Sequence, residues 1–244
     1  MSLDTELQQA VLAELNWDPA ITAAHIGVAA DAGIVTLTGH VDTFDQKHSA
    51  ERAAGRVKGV KGIAQEIEVQ LPFDKKRTDD EIAAAVIDRL AWDVSVPSDT
   101  IQVAVDAGWV TLTGQVNWYY QKEAAEDNVR KLFGVIGVSN QIVIKAQVDA
   151  SNISDAIAHA LHRTWFFEPK AIKVSAVNGK VTLTGNVQSY RDWDVATSIA
   201  WSAPGTTAVQ NDIVIADNPL QYRHFERTQE DRDAEEPNEG ARDI

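Results

Sequence analysis

Few side chains in this sequence have both the type and the spacing that chemistry requires. His159 and His162 lie three residues apart in a predicted helix, where two imidazoles could share one metal ion. No third ligand of suitable type is fixed nearby, so we interpret them as a surface pair and expect no metal or other cofactor. The chain has no cysteine, which excludes thiolate nucleophiles and disulfides. Since no nucleophile-elbow motif is present either, we predict that the protein is not an enzyme.

Two recurring glycine motifs are the next candidates, because glycine-rich loops can cradle a phosphate. Neither motif has the Gly-x-x-x-x-Gly-Lys-Ser/Thr run or the dinucleotide-binding fingerprint that such loops need. Turns, strand bulges and close approaches of another backbone explain the glycines better. The positions are Gly39, Gly114 and Gly185 in one motif, and Gly59, Gly134 and Gly205 in the other.

Aromatic side chains cluster at two places and are the best candidates for a binding surface. Trp118, Tyr119 and Tyr120 are consecutive, and Trp193 and Trp201 lie two turns apart in a predicted helix. Exposed tryptophan and tyrosine mark interfaces, so these five residues could bind a protein, a second copy of the chain, a lipid or a small ligand. The alternative is that they pack one part of the chain against another, and the sequence leaves both open.

Charge and hydropathy narrow the range of partners. The 244 residues include 36 acidic and 22 basic side chains, for a formal net charge of -14. Nucleic-acid binding needs clustered Lys and Arg, so this balance argues against DNA and RNA. It also disfavours simple electrostatic docking on anionic lipid. No apolar run is long enough to span a membrane, and without a recognisable leader segment at the N-terminus we expect a cytoplasmic protein.

The elements that position these residues come from an internal repeat. The run Val-Thr-Leu-Thr-Gly ends at Gly39 and recurs 75 and then 71 residues later, and isoleucines, valines and glycines keep this register for most of each unit. Such self-similarity is the signature of repeated modules. We predict module boundaries at 1–73, 74–148 and 149–218, followed by an acidic tail, 219–244, that has too few apolar residues to fold.

Each unit is predicted to contain a helix, two strands, a second helix and a third strand. In the second unit Ile82, Val86 and Leu90 recur at a spacing of four, which marks the buried face of a helix. Thr78 and Glu81 form a capping-box signature in front of it.

The strands after this helix are predicted from alternation of apolar and polar residues. A period of two over 101–105 and again from Val110 to Val116 predicts a β-hairpin, with Leu112 facing inward. Gly134 is expected to end the second helix, and Ile142-Val143-Ile144 to form the last strand. The predicted fold class is α+β, with three tandem αββαβ modules, each a three-stranded mixed sheet covered by two helices.

These motifs together resemble the BON domain. The residues that carry the resemblance are Gly108-Trp109-Val110-Thr111-Leu112-Thr113-Gly114-Gln115-Val116 and Gly134-Val135-Ile136-Gly137-Val138-Ser139-Asn140. The resemblance implies the αββαβ fold and no enzyme activity. It implies a binding or stress-protection role, with attachment to phospholipid or the cell envelope as the usual proposal and the periplasm as the alternative location. A second hypothesis is a scaffold that self-assembles through the aromatic residues of the second and third repeats.

Overall fold

The computed structural model describes residues 3–146, 152–163 and 171–216, which form three modules of the same construction. Module 1 contains α1 (Leu3–Trp17), β1 (Ile26–Asp31), β2 (Ile34–Val41), α2 (Phe44–Arg56) and β3 (Gly62–Val69). Module 2 contains α3 (Asp79–Trp92), β4 (Ile101–Asp106), β5 (Trp109–Val116), α4 (Tyr119–Arg130), β6 (Gly137–Asn140) and β7 (Val143–Ile144). Module 3 contains α5 (Ile153–Arg163), β8 (Ile172–Val177), β9 (Lys180–Val187), α6 (Tyr190–Ser202) and β10 (Ala208–Ile215). The predicted tail, 219–244, lies outside the described residues.

Each module has a mixed sheet with the second strand of its hairpin in the middle. The first strand pairs with it antiparallel and the last strand pairs with it parallel, on the opposite edge. The parallel pairing requires the second helix as a crossover between the strands. The predicted α+β class and the three αββαβ modules are therefore confirmed.

The last strand is longer than the alternation of residues predicted. It begins at Gly62 in module 1 and at Ala208 in module 3. In module 2 it is divided into β6 and β7, which both pair with β5. The predicted segment 142–144 is only its final part. The first half escaped prediction because it is only partly buried and mixes small and polar residues, so it carries no period-two pattern.

A separate hydrophobic core fills each module, between one face of the sheet and the two helices. In module 2 the predicted helix face is buried, with Ile82, Val86 and Leu90 exposed by 7% or less. Leu112 in the central strand is completely buried. The backbone N–H of Thr78 donates to Oε2 of Glu81 at 2.9 Å, as the capping-box signature predicted. The helical and strand periodicities therefore identified the core-facing residues correctly.

The first glycine motif allows two backbone segments to approach closely. Gly39, Gly114 and Gly185 have φ of 104°, 137° and 140°, a region that side chains disfavour. A Cβ at any of them would lie 2.0 to 2.1 Å from the carbonyl oxygen of the residue that precedes the first strand. Side-chain substitution there would force the sheet apart, so the glycines have a structural role.

The second glycine motif does not end the second helix, contrary to the prediction for Gly134. The helix α4 ends at Arg130, and Gly134 lies in the turn that leads to β6. Gly59 and Gly205 occupy the same turn in the other modules, and all three have positive φ, at 88° to 96°. The chain already leaves helical geometry several residues before the glycine, which then supplies the left-handed conformation that the turn needs.

A side-chain amide ties the last strand to the second helix in every module. It donates to a backbone carbonyl in the first half of that helix, at 2.9 to 3.3 Å. The pairs are Gln65 with Lys47, Asn140 with Lys122, and Asn211 with Trp193. The longer glutamine of module 1 makes the same contact as the two asparagines. Glutamine at this position therefore preserves the hydrogen bond between the last strand and the second helix.

Candidate functional site

The second helix of every module begins with an aromatic residue that reaches into another module. Phe44, Tyr119 and Tyr190 occupy equivalent positions, as the first residues of α2, α4 and α6. These three residues define the contacts between modules.

Module 1 contacts module 2 through the N-terminus of α2. Phe44 packs against the core of module 2. Beside it, Nε of Arg130 donates to Oδ1 of Asp45 at 3.2 Å. The Arg130 side chain is only 11% exposed and also pairs with Asp127 of its own helix. This contact therefore combines an apolar ring with an ion pair between the modules in which the arginine is largely buried and the aspartate borders solvent.

Module 2 contacts module 3 through stacked aromatic rings. The Tyr119 and Trp201 rings lie 4.4 Å apart between centroids, with their planes at 14°. Trp201 also packs against the core of module 2. Burial, with the nearby carboxylates of Glu123, Glu126 and Asp194, raises the pKa of the Tyr119 hydroxyl to about 12. The Tyr119 side chain therefore stays neutral at physiological pH and stacks as an uncharged group.

Module 3 contacts module 1 through Tyr190. Its ring packs against the core of module 1, and a Cβ at Gly55 would lie 3.0 Å from the ring. The backbone N–H of Tyr190 donates to the carbonyl oxygen of Val60 at 3.2 Å. Glycine at position 55 therefore creates the space that the tyrosine ring fills.

The three contacts run in one direction and close on themselves. The receiving residues Gly55, Arg130 and Trp201 occupy equivalent positions in the three second helices, as the repeat offsets show. Module 1 docks on module 2, module 2 on module 3, and module 3 on module 1. Such head-to-tail contacts form a closed ring when the rotation between units closes. We call this arrangement the ring.

Trp201 and Tyr119 lie at a contact between modules, as in the second of the two interpretations that the sequence left open. The structure brings these two side chains together within the chain, so they pack one module against another. Trp193 is half-buried in module 3 and stacks on Tyr190 at 5.7 Å between ring centroids. Trp118 is half-buried and Tyr120 is 55% exposed. A binding role for any of the five aromatic residues stays a prediction.

Trp118 also departs from the repeat in its local role. Thr43 and Ser189 hold the equivalent position and cap their helices, since each hydroxyl accepts the backbone N–H three residues later. Tryptophan cannot do so, and Oε1 of Gln121 instead accepts the backbone N–H of Trp118 at 3.0 Å. Module 2 therefore lacks the hydroxyl cap that the other two modules have at this position.

Two strongly exposed tryptophans were missed by the sequence interpretation. Trp17 and Trp92 are the last residues of α1 and α3, and they are 83% and 87% exposed. They are separated by 75 residues, the offset between modules 1 and 2. The repeat register could have identified them, because two large apolar residues share one position just beyond the buried helix face. The equivalent position of module 3 holds Arg163, which is also exposed.

The histidines form no metal centre in the part of the chain that the structure describes. His159 and His162 are both exposed on α5. His25 and His40 stack on each other with ring centroids 4.5 Å apart. Among the described residues, no three histidine, aspartate or glutamate side chains lie close enough together to hold a metal ion.

His48 is a half-buried histidine of α2 whose pKa is lowered in the folded chain. Burial and the nearby Arg130 and Arg52 lower its pKa from 6.5, and Glu51 and Glu126 oppose them only in part. The folded state therefore disfavours the protonated imidazole. Stability that is present above pH 6.5 is lost as the pH falls below that value.

We expect His48→Gln to reduce this acid sensitivity, because glutamine cannot gain the proton. Urea titrations at about pH 7.5 and about pH 5.5 bracket the titration range of histidine and measure the effect. His159→Gln, at an exposed position of α5, is the matched control and should behave as the wild type. An equal loss of stability in the wild type and His48→Gln would contradict the prediction.

Comparisons with known proteins agree with the repeat. A family model described as the BON domain matches residues 3–70, 78–146 and 149–217. The osmotically-inducible protein Y of Escherichia coli (strain K12) is 29% identical over 132 residues, which cover 51% of this chain and 64% of that protein. The match therefore spans less than two thirds of the length of this relative.

Two solved structures of CdsD, a structural protein of the type III secretion system of Chlamydia trachomatis, are also similar. Both are 16% identical to this chain and are covered completely. They cover 96% and 89% of the chain, with TM-scores of 0.26 and 0.24. Overlap at this level supports no inference about the arrangement of the modules.

Proposed function

Because the chain belongs to the BON domain family, with three copies of the domain, we propose that it is a non-enzymatic binding protein of the osmotic stress response whose partner is a phospholipid surface. The similarity to an osmotically inducible protein supports the stress role. The observation that carries the choice of partner is the pair of exposed tryptophans, Trp17 and Trp92. The structure describes no helix long and apolar enough to cross a bilayer.

The position of the two tryptophans suits attachment to a surface. In a ring of equivalent units, equivalent residues lie at the same height along the axis, so we expect Trp17 and Trp92 to face the same side. Val94, two residues beyond Trp92, is also fully exposed. Indole rings prefer the boundary between lipid headgroups and acyl chains, where they bury apolar area and keep the N–H hydrated. Two rings on one side can enter one membrane leaflet together.

The charge of the chain determines which phospholipid is favoured. A net charge of -14 opposes approach to anionic headgroups. Insertion of the indole rings does not depend on an opposite charge, so a zwitterionic surface such as phosphatidylcholine is the preferred partner. Binding should weaken as anionic lipid is added, and should recover when salt screens the repulsion.

Co-sedimentation with phosphatidylcholine vesicles tests the proposal. We expect Trp17→Ser combined with Trp92→Ser to weaken vesicle binding at least about tenfold, since burying one indole ring exceeds the 1.4 kcal/mol that a factor of ten requires. Phe73→Ser is the matched control, because Phe73 is 92% exposed but lies between modules 1 and 2. This control should bind as the wild type does.

Two outcomes would contradict the lipid partner. One is vesicle binding by the double variant that equals that of the wild type. The other is that no form of the protein binds vesicles, while light scattering shows a mass that rises with concentration for the wild type and not for the double variant. The second outcome would show that the tryptophans join copies of the chain and would favour the scaffold hypothesis.

A further inference from the structure

A pocket of about 320 Å³ lies at one corner of module 2, where the hairpin and the last strand meet. It is bordered by the loop before β4, the end of β5 and the residue after β7. The lining residues are Pro97, Thr100, Gln115, Val116, Asn117 and Lys145. Val116 is buried and Pro97 and Thr100 are half-buried, whereas the other three are exposed. The pocket therefore has a largely apolar interior and a polar rim.

The backbone of this corner is built in the same way in all three modules. The N–H of the residue after the last strand donates to the carbonyl oxygen at the end of the central strand, at 2.8 to 2.9 Å. The pairs are Gln70 with Val41, Lys145 with Val116, and Ala216 with Val187. The glycine of the first motif approaches the residue before the first strand equally closely in each module. Differences between the three corners therefore come from the side chains.

In module 1 two imidazole rings stack across the equivalent corner. His25 and His40 hold the positions of Thr100 and Gln115. Their ring centroids lie 4.5 Å apart, with the planes at 15°. The corner thus accommodates flat rings when the side chains supply them. Threonine and glutamine have no ring, and both line the pocket of module 2.

The polar groups at the rim of the pocket suit a single negative charge. Lys145 is the one charged residue of the lining, and its equivalents Gln70 and Ala216 are neutral. Among the described residues, the Lys145 ammonium forms no ion pair, and the side-chain amides of Gln115 and Asn117 form no hydrogen bond. An ammonium and two amide N–H donors together are complementary to one carboxylate.

We propose that this pocket binds a small carboxylic acid with one planar ring, in its ionised form. The Lys145 ammonium pairs with the carboxylate, and the amides of Gln115 and Asn117 donate to it. The ring packs on Val116 and Pro97, in the space that corresponds to the imidazole stack of module 1.

Size and charge limit the ligand to a monoanion with one ring. Ligand pockets span about 300 to 1,000 Å³, so this pocket is at the small end of the range. A second negative charge would find no second cation in the lining and would be opposed by the net charge of -14. The proposal does not rest on the lipid partner, because the pocket shares no residue with Trp17 or Trp92.

Titration of the ¹⁵N-labelled full chain with benzoate, followed by NMR, tests the proposal. Benzamide has the same ring without the charge and is the matched control ligand. We expect benzoate to shift the backbone amide signals of 115–117 and Lys145, with a dissociation constant of about 1 mM for so small a ligand. The equivalent signals of 40–42 and 186–188 should stay in place and serve as controls within the same chain. Benzamide should bind at least about tenfold more weakly, because it forms no charge-assisted hydrogen bond.

Two variants separate the pocket from a general effect of charge. Lys145→Gln introduces the residue that module 1 has there, and we expect it to weaken benzoate binding at least about tenfold. Its side chain is exposed and only its backbone is hydrogen-bonded, so the fold should be kept. Lys131→Gln removes an exposed lysine outside the pocket and should bind as the wild type does. Thr100→His combined with Gln115→His reproduces the imidazole pair of module 1 and should abolish binding by occupying the pocket.

The unshifted signals of modules 1 and 3 show in the same spectra that each variant is folded. Benzoate that leaves the signals of 115–117 unchanged in the wild type would overturn the proposal. So would equal shifts at the three corners, or equal binding of benzoate and benzamide. Equal binding by Lys145→Gln and Lys131→Gln would also overturn it, since the charge at position 145 would then have no part in recognition.

Discussion

Replacing Leu112 with alanine is expected to lower the free energy of unfolding of module 2 by about 2 to 5 kcal/mol. Leu112 is completely buried in the central strand β5, and it contacts the core from the middle of the sheet. Its removal loses the transfer free energy of the side chain and leaves a cavity that two helices and a sheet cannot fill by small shifts. Urea titration followed by circular dichroism measures the loss.

Gln115→Ala is the control for this substitution, because Gln115 lies on the same strand with an exposed side chain. It should change stability by no more than about 0.5 kcal/mol. A loss below about 1 kcal/mol for Leu112→Ala would contradict the prediction. Leu37 and Leu183 are equally buried at the equivalent positions, so alanine there should have effects of similar size in modules 1 and 3.

Replacing Gly114 with alanine is expected to destabilise module 2 by about 3 kcal/mol or more, through two separate costs. The residue has φ of 137°, a conformation that alanine rarely adopts. The added Cβ would also lie 2.1 Å from the carbonyl oxygen of Thr100, so the backbone must move. Thermal unfolding of the variant, with the wild type alongside, measures the combined effect.

Gly62→Ala is the matched control within the same fold. Gly62 is also a strand residue, but a Cβ there would meet no atom within 4 Å, and its φ is not in the left-handed region. Its substitution should be neutral or slightly stabilising, because alanine reduces the entropy of the unfolded chain. If both glycines tolerated alanine equally, the close backbone approach at Gly114 would be wrong.

The sequence by itself determined the module and most of its core. Apolar residues at a spacing of four in α3 and at alternate positions in β5 identified Ile82 and Leu112 as buried, and both are. The repeated glycine at 114 indicated a bulge or a close approach of backbone, and the structure has the close approach. These features were predictable because each depends on residues near in sequence, and three copies in one register separate pattern from coincidence.

Local signals were weaker where an element lacks a buried face of its own. The last strand begins at Gly62 in module 1, well before the apolar residues that predicted it, because pairing with β2 rather than burial holds its first half. The turn glycine at 134 was assigned to the wrong role for a similar reason. A glycine after a helix predicts a left-handed residue but does not fix where the helix ends.

Only the tertiary structure decided where Trp201 and Tyr119 pack. Trp201 and Tyr119 are far apart in sequence, and no pattern within one module specifies which module its outer face meets. The answer depends on the direction in which the ring closes, which places Tyr190 beside Gly55 and Tyr119 beside Trp201. Sequence periodicity indicates which face of a helix or strand packs against the core of its own module. Contacts between modules depend instead on the shapes of the surfaces that the folded modules present.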